Sequence, residues 1–273
     1  VETDKDEYAQ GEKVNVTVQG TYYFGGPVAR AKVHWTLLTR DYFFRWQGKG
    51  WYDFTDYDWT RYWYYSEYGE FVSEGDGQTD KDGRFTFKVP ADIADKIASQ
   101  VFTIEATVTD INDQQVANRT EAIVHKGLFY IGLGPETYVG QVKKEQKVNV
   151  ITVDWESQPV PGVEVEVIFY EHKWYSVQKQ AEDGSFYWES DYVDTPVFTQ
   201  TVTTDRKGKA VATFTPQKGG TYKIAASAQD EMGNKVRSST YMWISGYEFI
   251  NWRQENNNRI DLVTDKKSYT PGE

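Results

Sequence analysis

Short runs of alternating apolar and polar residues recur along the chain. KVNVTVQ at residues 13–19 and KVNVITV at 147–153 alternate with a period of two, as strands that bury one face do. VEVEVIF at 163–169 follows the same pattern. KDGR at 81–84 and RKGK at 206–209 separate such runs, and their glycines suit the positive φ of a hairpin turn. The pattern predicts an all-β protein built from many short antiparallel strands.

One stretch does not alternate in this way. ADIADKIAS at residues 91–99 lies between two predicted strands and has the composition of a helical turn. We expect it to form either a crossover turn or a short helix.

The chain contains an internal repeat. TDKDEYAQGE at residues 3–12 and TDKKSYTPGE at 264–273 agree at six of ten positions. A weaker copy at 134–150 repeats KVNV, and its Tyr138 is expected to correspond to Tyr8 and Tyr269 near the end of each unit. Three further landmarks occur twice in the same order: PVARAKVHW and PVPGVEVEVIF, TDKDGRFTF and TDRKGKAVATF, VFTIEATVTDINDQQV and TYKIAASAQDEMGNKV.

The repeat predicts tandem antiparallel β-sandwiches of the immunoglobulin or fibronectin-III type. The first would span residues 1–126 and carry an aromatic insert, and the second would span 127–247. Residues 248–273 would be a linker and the first strand of a third, truncated domain. Because the first residues align with the inside of a predicted strand, we expect the chain to be a piece of a longer protein.

The landmarks resemble the macroglobulin domains of the bacterial α2-macroglobulin family. The residues that carry the resemblance are TDKKSYTPGE, TDRKGKAVATF, the segment GGTYKIAASAQDEMGNKVRSSTYMWISG at 219–246, and WYSVQKQAEDGSFYWES at 174–190. The resemblance covers nearly the whole chain and is weaker over residues 30–78. It implies two seven-stranded sandwiches from the N-terminal half of a large protein that entraps proteases.

The resemblance also bounds what this chain can do. The thioester of the family needs a cysteine, and the chain has none. No bait segment of convincing length is present, so the chain is expected to be framework without enzymatic activity, catalytic residues, cofactors or metals. The implied partners are proteases, met through the longer protein, and a class A penicillin-binding protein. The implied location is extracytoplasmic: the bacterial periplasm, the cell envelope or the secreted fraction.

Aromatic residues are concentrated in the insert at 41–78. In WYDFTDYDWTRYWYY, residues 51–65, nine of fifteen residues are aromatic. The corresponding slot of the second unit, residues 169–192, is also rich in aromatics. These rings either pack against a sandwich flank or the neighbouring domain, or form an exposed surface. The second interpretation gives the alternative function, a tandem β-sandwich adhesion module that recognises a glycan or a protein.

Charge excludes one class of partner. The formal net charge is −11, and no cluster of lysine and arginine is present to neutralise phosphates. Nucleic acid is therefore not an expected partner. The chain has no run of about eighteen apolar residues, so no membrane contact is expected within it. A lipid anchor would lie elsewhere in the longer protein. We expect the chain itself to be a monomer.

Candidate chemistry is sparse. The histidines, His34, His125 and His172, stand far apart in sequence, and a metal or catalytic site would need them to converge. Asp80 and Asp82 begin a calcium-loop pattern, but Arg84 and Lys88 replace the later ligands, which favours a hairpin turn. A further set of carboxylates is interpreted as solvated surface charges, with a weak calcium site as the alternative. The set comprises Asp53, Asp56, Asp58 and Glu67.

Overall fold

The computed structural model describes residues 1–56, 69–180 and 186–246. These residues form sixteen β-strands and no helix. The first half contains β1 (Glu2–Thr3), β2 (Glu7–Ala9), β3 (Lys13–Gln19), β4 (Lys32–Tyr42), β5 (Glu70–Gln78), β6 (Arg84–Pro90), β7 (Ser99–Thr109) and β8 (Gln115–His125). The second half contains β9 (Tyr130–Pro135), β10 (Val139–Gln141), β11 (Gln146–Val153), β12 (Glu164–Gln180), β13 (Phe186–Thr203), β14 (Lys209–Phe214), β15 (Gly220–Gln229) and β16 (Lys235–Ser245).

Several sequence predictions lie outside the described residues. They concern the third unit at 248–273 with Tyr269, the last nine residues of the aromatic stretch at 57–65, and the carboxylates of Asp58 and Glu67. Within the described residues, no helix is long and apolar enough to cross a membrane.

Each half forms a sandwich of one three-stranded and one five-stranded sheet. In the first sandwich the strand orders are β1-β3-β6 and β2-β8-β7-β4-β5. In the second they are β9-β11-β14 and β10-β16-β15-β12-β13. Each strand of the second sandwich therefore corresponds to the strand numbered eight lower in the first. The predicted tandem repeat and all-β class are confirmed.

The expected seven antiparallel strands per sandwich are wrong in detail. Each described sandwich has eight strands, because its first strand is broken and the chain passes from one sheet to the other. The second piece pairs in parallel with the last strand, β2 with β8 and β10 with β16. The broken strand thereby links the two sheets at one side of each sandwich.

The two cores occupy the space between the sheets. Alternation places one face of each strand inside, which is why the period-two runs predicted the strands. Buried residues of the first core include Tyr8, Val14, Val16, Leu37, Phe102 and Ile104. Those of the second include Ile131, Leu133, Val167, Phe169, Ile224 and Ile244.

The repeated Thr-Asp pair fixes a hairpin turn in each sandwich. The Thr79 hydroxyl donates to the Val28 carbonyl at 2.6 Å and accepts from the Ala31 amide at 2.8 Å. Asp80 Oδ1 accepts two amides of its own turn, at 2.9 and 2.8 Å. Asp205 does the same for its turn, at 2.8 and 3.0 Å. The predicted hairpin at Asp80 is therefore present.

The first repeat motif forms a network around Asp4. Its carboxylate accepts from the Tyr8 hydroxyl at 2.5 Å and from the Asn15 side-chain amide at 2.7 Å. These bonds, that of Tyr8 first, hold the pKa of Asp4 below its usual value. Lys5 and Glu12 form an ion pair at 2.7 Å across the turn. Tyr8 is fully buried, as expected of a residue that closes its sandwich.

Tyr138 is not the counterpart of Tyr8, contrary to the sequence prediction. Tyr8 pairs with Val124, and in the second sandwich Gly140 pairs with Ile244 at the matching position. Tyr138 lies two residues earlier and is 49% exposed. A side chain at Gly140 would meet that of Gln146, which occupies this part of the second sandwich.

Residues 91–98 form a turn and not a helix. Ile93 is buried in the first core, and the Lys96 amide donates to its carbonyl at 3.0 Å. The Lys126 ammonium donates to carbonyls of Ile93, Ala94 and Lys96 at 2.8, 3.2 and 2.8 Å. These interactions satisfy carbonyls that a helix would have bonded internally.

Candidate functional site

The described part of the aromatic insert leaves the first sandwich and lies on the second. Asp53 forms an antiparallel bridge with Leu133 of β9. The Asp53 amide donates to the Leu133 carbonyl at 2.8 Å, and the Leu133 amide donates back at 2.9 Å. For residues 52–56, the packing interpretation of the insert is therefore correct, whereas the Trp51 side chain is 66% exposed.

Phe54 anchors the insert. Only 9% of its surface is exposed, and it packs with Tyr130, Ile151 and Val153 of the second sandwich. The Phe44 ring meets it edge-on at 5.0 Å between centroids. Trp46, Tyr52 and Trp155 complete the same apolar cluster from both halves of the chain.

Glycines of β9 make room for the insert. A Cβ added to Gly132 would lie 2.7 Å from the Phe54 ring, and one added to Gly134 would lie 2.8 Å from the Trp51 carbonyl oxygen. Both distances are shorter than real Cβ contacts allow. These two positions let the insert approach β9 at backbone distance.

The insert continues from β9 to the edge of β16. Asp53 Oδ2 accepts from the Thr240 hydroxyl at 2.5 Å, and the Asp53 carbonyl accepts from the Ser238 hydroxyl at 2.8 Å. The Ser239 amide donates to the Thr55 carbonyl at 3.1 Å. Burial raises the pKa of Asp53, and the bond from Thr240 partly offsets that effect. The insert thus joins the edges of the two sheets and closes that side of the second sandwich.

Lys223 of β15 extends the contact of the insert further across the five-stranded sheet, to which β16 also belongs. The Lys223 ammonium lies 3.9 Å from Asp56 of the insert and 3.6 Å from Asp194 of β13. Asp194 also contacts His172 Nδ1 at 2.6 Å. A single lysine side chain, 14% exposed, therefore connects the insert to the second sandwich.

His125 occupies the junction where β8 ends. Its ring is fully buried, stacks on Trp155 with 4.2 Å between centroids, and has Nδ1 2.6 Å from the Tyr130 hydroxyl. Nε2 has no hydrogen-bond partner among the described residues, and Glu7 Oε1 lies 3.4 Å away. Burial lowers the pKa of His125 to about 3, so the ring is neutral at physiological pH.

The junction has further polar contacts between the two sandwiches. The Trp155 indole donates to the Gly127 carbonyl at 2.9 Å. Asp230 Oδ2 accepts from the Leu128 amide at 3.0 Å, and the Asn234 side-chain amide donates to the Gln10 carbonyl at 3.2 Å. The linker is therefore bonded along its length.

The second aromatic-rich slot forms a long hairpin. β12 and β13 pair from Glu164–Thr203 to Gln180–Phe186, whereas β15 pairs with β12 only as far as His172. The outer part of the two strands, the arm, extends past β15. One face of the arm exposes Tyr175, Val177, Tyr187 and Val193, with exposed fractions between 42% and 57%.

The three histidines do not form a common site. His34 lies on β4 beside Asp76, His125 lies in the junction, and His172 lies on β12 beside Asp194. Among the described histidines and carboxylates, no group of three could hold a metal ion. Asp53 and Asp56, expected to be solvated, instead contact the second sandwich.

The sequence did not reveal the junction as a site. The sequence pattern offers His125 only as a candidate metal ligand or catalytic residue, and it does not single out Trp155. The available signal was the placement of Trp155 in the turn before PVPGVEVEVIF, where the first unit has Tyr23.

A comparison with protein families gives one match in the second sandwich. Residues 132–247 match the model of bacterial macroglobulin domain 6. The chain is 22% identical over 276 aligned residues to an alpha-2-macroglobulin homolog of Nostoc sp., which covers 100% of this chain and 14% of the relative. It is 24% identical to an alpha-2-macroglobulin of Thermotoga maritima, over 83% of this chain and 11% of the relative. The chain thus spans only a small part of these relatives.

Solved structures show the same fold. The native conformation of E. coli alpha-2-macroglobulin matches 99% of this chain and 17% of its own length, with a TM-score of 0.60 and 17% identity. A Salmonella alpha-2-macroglobulin variant matches 89% of this chain and 16% of its own, with a TM-score of 0.59 and 14% identity. The similarity in both cases extends over both sandwiches.

Proposed function

We propose that the chain is a structural framework segment of a longer protein of the bacterial alpha-2-macroglobulin family, one that entraps proteases. Its role would be to hold other parts of the trap at fixed positions. No residue of the segment would take part in chemistry.

The observation that carries the proposal is the docking of the insert across the second sandwich. A framework must keep its shape, and two sandwiches joined by a short linker alone would move relative to each other. Here Phe54 and Asp53 supply an apolar anchor and a set of hydrogen bonds far from the linker in sequence. The contact supports a unit that resists bending.

One chain of hydrogen bonds among the described residues contains the residue types of a catalytic site, a histidine and a serine, but its geometry supports a structural role. It runs from His125 through the Tyr130 hydroxyl to Ser99, at 2.6 and 2.9 Å. All three residues are buried, and Tyr130 separates the histidine from the serine. A substrate would have no access to this chain of groups, which fits a function in holding the junction.

The proposal includes the finer assignments made from sequence. The domains would be 1–126, 127–247 and the opening of a third at 248–273. The longer protein would be extracytoplasmic and would meet proteases directly. A class A penicillin-binding protein as a second partner, and a monomeric state of this segment, stay predictions.

The test uses the full-length protein mixed with a broad-specificity protease. Entrapment would strongly reduce cleavage of casein and leave cleavage of a small peptide substrate nearly intact, because the caged protease keeps an open active site. The Phe54→Ala variant should protect less well, whereas the matched Trp51→Ala variant should behave as wild type. Equal cleavage of casein and of the peptide substrate with and without the wild-type protein would refute entrapment.

The exposed arm favours one second candidate, an adhesion module that binds glycans. Tyr175 and Tyr187 lie on the same face, and tyrosine rings stack on sugar rings. A titration with cell-envelope oligosaccharides, followed by intrinsic fluorescence, tests it. A saturable change lost in Tyr175→Ala would support this candidate, and no change with any of them would remove it.

A further inference from the structure

The loop between the third and fourth strands has the same conformation in both sandwiches. In the first, the Tyr22 amide donates to the Gly26 carbonyl and the Gly25 amide donates to the Tyr22 carbonyl, both at 2.8 Å. In the second, Asp154 makes the matching bonds with Gln158 and Ser157 at 2.9 and 3.1 Å.

Two further features confirm that the loops correspond. Gly25 and Ser157 both have positive φ, 93° and 67°. The flanking bridges, Thr21 with Pro27 and Val153 with Pro159, also match. Tyr23 of the first sandwich is therefore the structural counterpart of Trp155 of the second.

Trp155 uses this position to dock its sandwich onto the preceding one. Its ring stacks on His125, and its indole nitrogen donates to the Gly127 carbonyl, the first residue after Lys126 in the linker. Through this loop, the second sandwich contacts the end of the first.

The corresponding loop of the first sandwich presents its aromatic rings to solvent. Tyr23 has a relative exposure of 108%, and Phe24 is 83% exposed. The Tyr22 ring stacks on Phe24 at 5.2 Å between centroids, which holds the two rings in a defined arrangement. Exposed aromatic residues held in this way are typical of interaction surfaces.

A second loop shows the same relation. Asp110 Oδ1 accepts the amides of Asn112 and Gln114 at 2.8 and 2.9 Å, just as Asp230 Oδ1 accepts those of Met232 and Asn234 at 2.9 and 2.7 Å. In the second sandwich, this loop also contacts the preceding unit.

Those contacts are polar and specific. Asp230 Oδ2 accepts the linker amide of Leu128, and Asn234 donates to the Gln10 carbonyl. In the first sandwich, the matching loop carries Ile111, which is 83% exposed. The Tyr22 hydroxyl lies 3.5 Å from Asp110 Oδ2, so the two loops lie side by side.

We propose that Tyr23, Phe24, Ile111 and Asp110 form a docking surface for the end of another β-sandwich domain that precedes the first sandwich in the same polypeptide. The partner would receive Tyr23 as the end of the first sandwich receives Trp155. The inference rests on the repeat within this chain and is independent of the proposed trapping of proteases.

The chemistry of the partner follows from the junction that is present. It would offer a ring or other flat surface for the Tyr23 side chain, a free backbone carbonyl for its hydroxyl, and a linker amide for Asp110 Oδ2. The surface would bury apolar area and satisfy these polar groups together, as the junction at Trp155 does.

A second copy of this chain fits less well. The end of the first sandwich that accepts Trp155 is already covered by the second sandwich of the same chain. Ile244 of the second sandwich corresponds to Val124 of the first, so Ser245 takes the place that His125 has in the first sandwich. Serine offers no ring to stack against.

Hydroxyl-radical footprinting tests the proposal by measuring side-chain reactivity in the 273-residue chain and in the full-length protein. Tyr23 and Phe24 are expected to react at least threefold more slowly in the full-length protein. Trp155 serves as the matched control, because it is docked in both and should keep the same rate. Unchanged reactivity of Tyr23 and Phe24 in the full-length protein would overturn the proposal.

A variant separates docking from folding. Tyr23→Ser should leave the thermal midpoint of the 273-residue chain unchanged, because the side chain is exposed there, and should restore fast labelling of Phe24 in the full-length protein. No effect of Tyr23→Ser on Phe24 labelling in the full-length protein would contradict the proposal. Protection of Tyr23 that grows with the concentration of the 273-residue chain, together with oligomers in light scattering, would assign the surface to a second copy and overturn the stated partner.

Discussion

Phe54 and Trp51 lie three residues apart in the insert and have different environments. Phe54 is 9% exposed and contacts a cluster drawn from the second sandwich, whereas Trp51 is 66% exposed. Composition alone could not distinguish them, since both are large aromatic residues in the same stretch. The distinction depends on where the edges of β9 and β16 lie.

The consequence can be measured by substitution. Phe54→Ala removes a ring from a packed cluster and should lower the free energy of unfolding by about 3–5 kcal/mol. Trp51→Ala is the matched control: it removes only an edge-on ring contact with Tyr138 and should lower the free energy of unfolding by about 0.5–1.5 kcal/mol. Urea titration followed by circular dichroism gives both values. Equal effects of the two substitutions would contradict the assignment of Phe54 as the anchor.

Single residues also show where a sequence comparison reaches its limit. Tyr138 resembles Tyr8 because both precede a KVNV run. In the structure the two KVNV runs do not correspond: they are two residues out of register, and Gly140 takes the place of Tyr8. Buried Gln146 replaces the ring there. A shift of two residues preserves the alternation of faces, so the periodicity could not reveal it.

At the scale of elements, strands and turns were predictable and docking was not. Period-two runs and the Thr-Asp-x-x-Gly turns are local signals, and the structure contains the strands and hairpins that they predicted. The contact between the insert and β9 joins residues about 80 positions apart, and no local pattern encodes it. Residues 91–98 were ambiguous because Lys126, which stabilises that turn, comes some thirty residues later.

The element contact itself can be tested from the side of β9. Gly134→Ala places a methyl group against the Trp51 carbonyl, so the insert should move away from β9 while the strand remains in the sheet. We expect proteolytic cleavage within residues 41–56 to become at least five times faster. Glu136→Ala, an exposed change just after the same strand, is the control and should leave the rate unchanged. Resistance of the Gly134 variant equal to that of wild type would show that the insert does not depend on this close approach.

At the scale of the whole molecule, the two sandwiches are connected by three separate contacts. The linker is bonded at Lys126 and Leu128, Trp155 docks onto the end of the first sandwich, and the insert crosses the second. Contacts at several separated points restrict bending and twisting together. We therefore expect the described residues to behave as one rigid body, as a framework segment requires.

Distance measurement between the sandwiches tests this claim most directly. The chain has no cysteine, so spin labels can be placed at Lys88→Cys in β6 and Lys209→Cys in β14, both exposed positions, without background labelling. Double electron–electron resonance should give one narrow distance distribution, which Phe54→Ala broadens and Trp51→Ala does not. A broad or two-peaked distribution in the otherwise unmodified chain would show that the sandwiches move independently and would contradict the account.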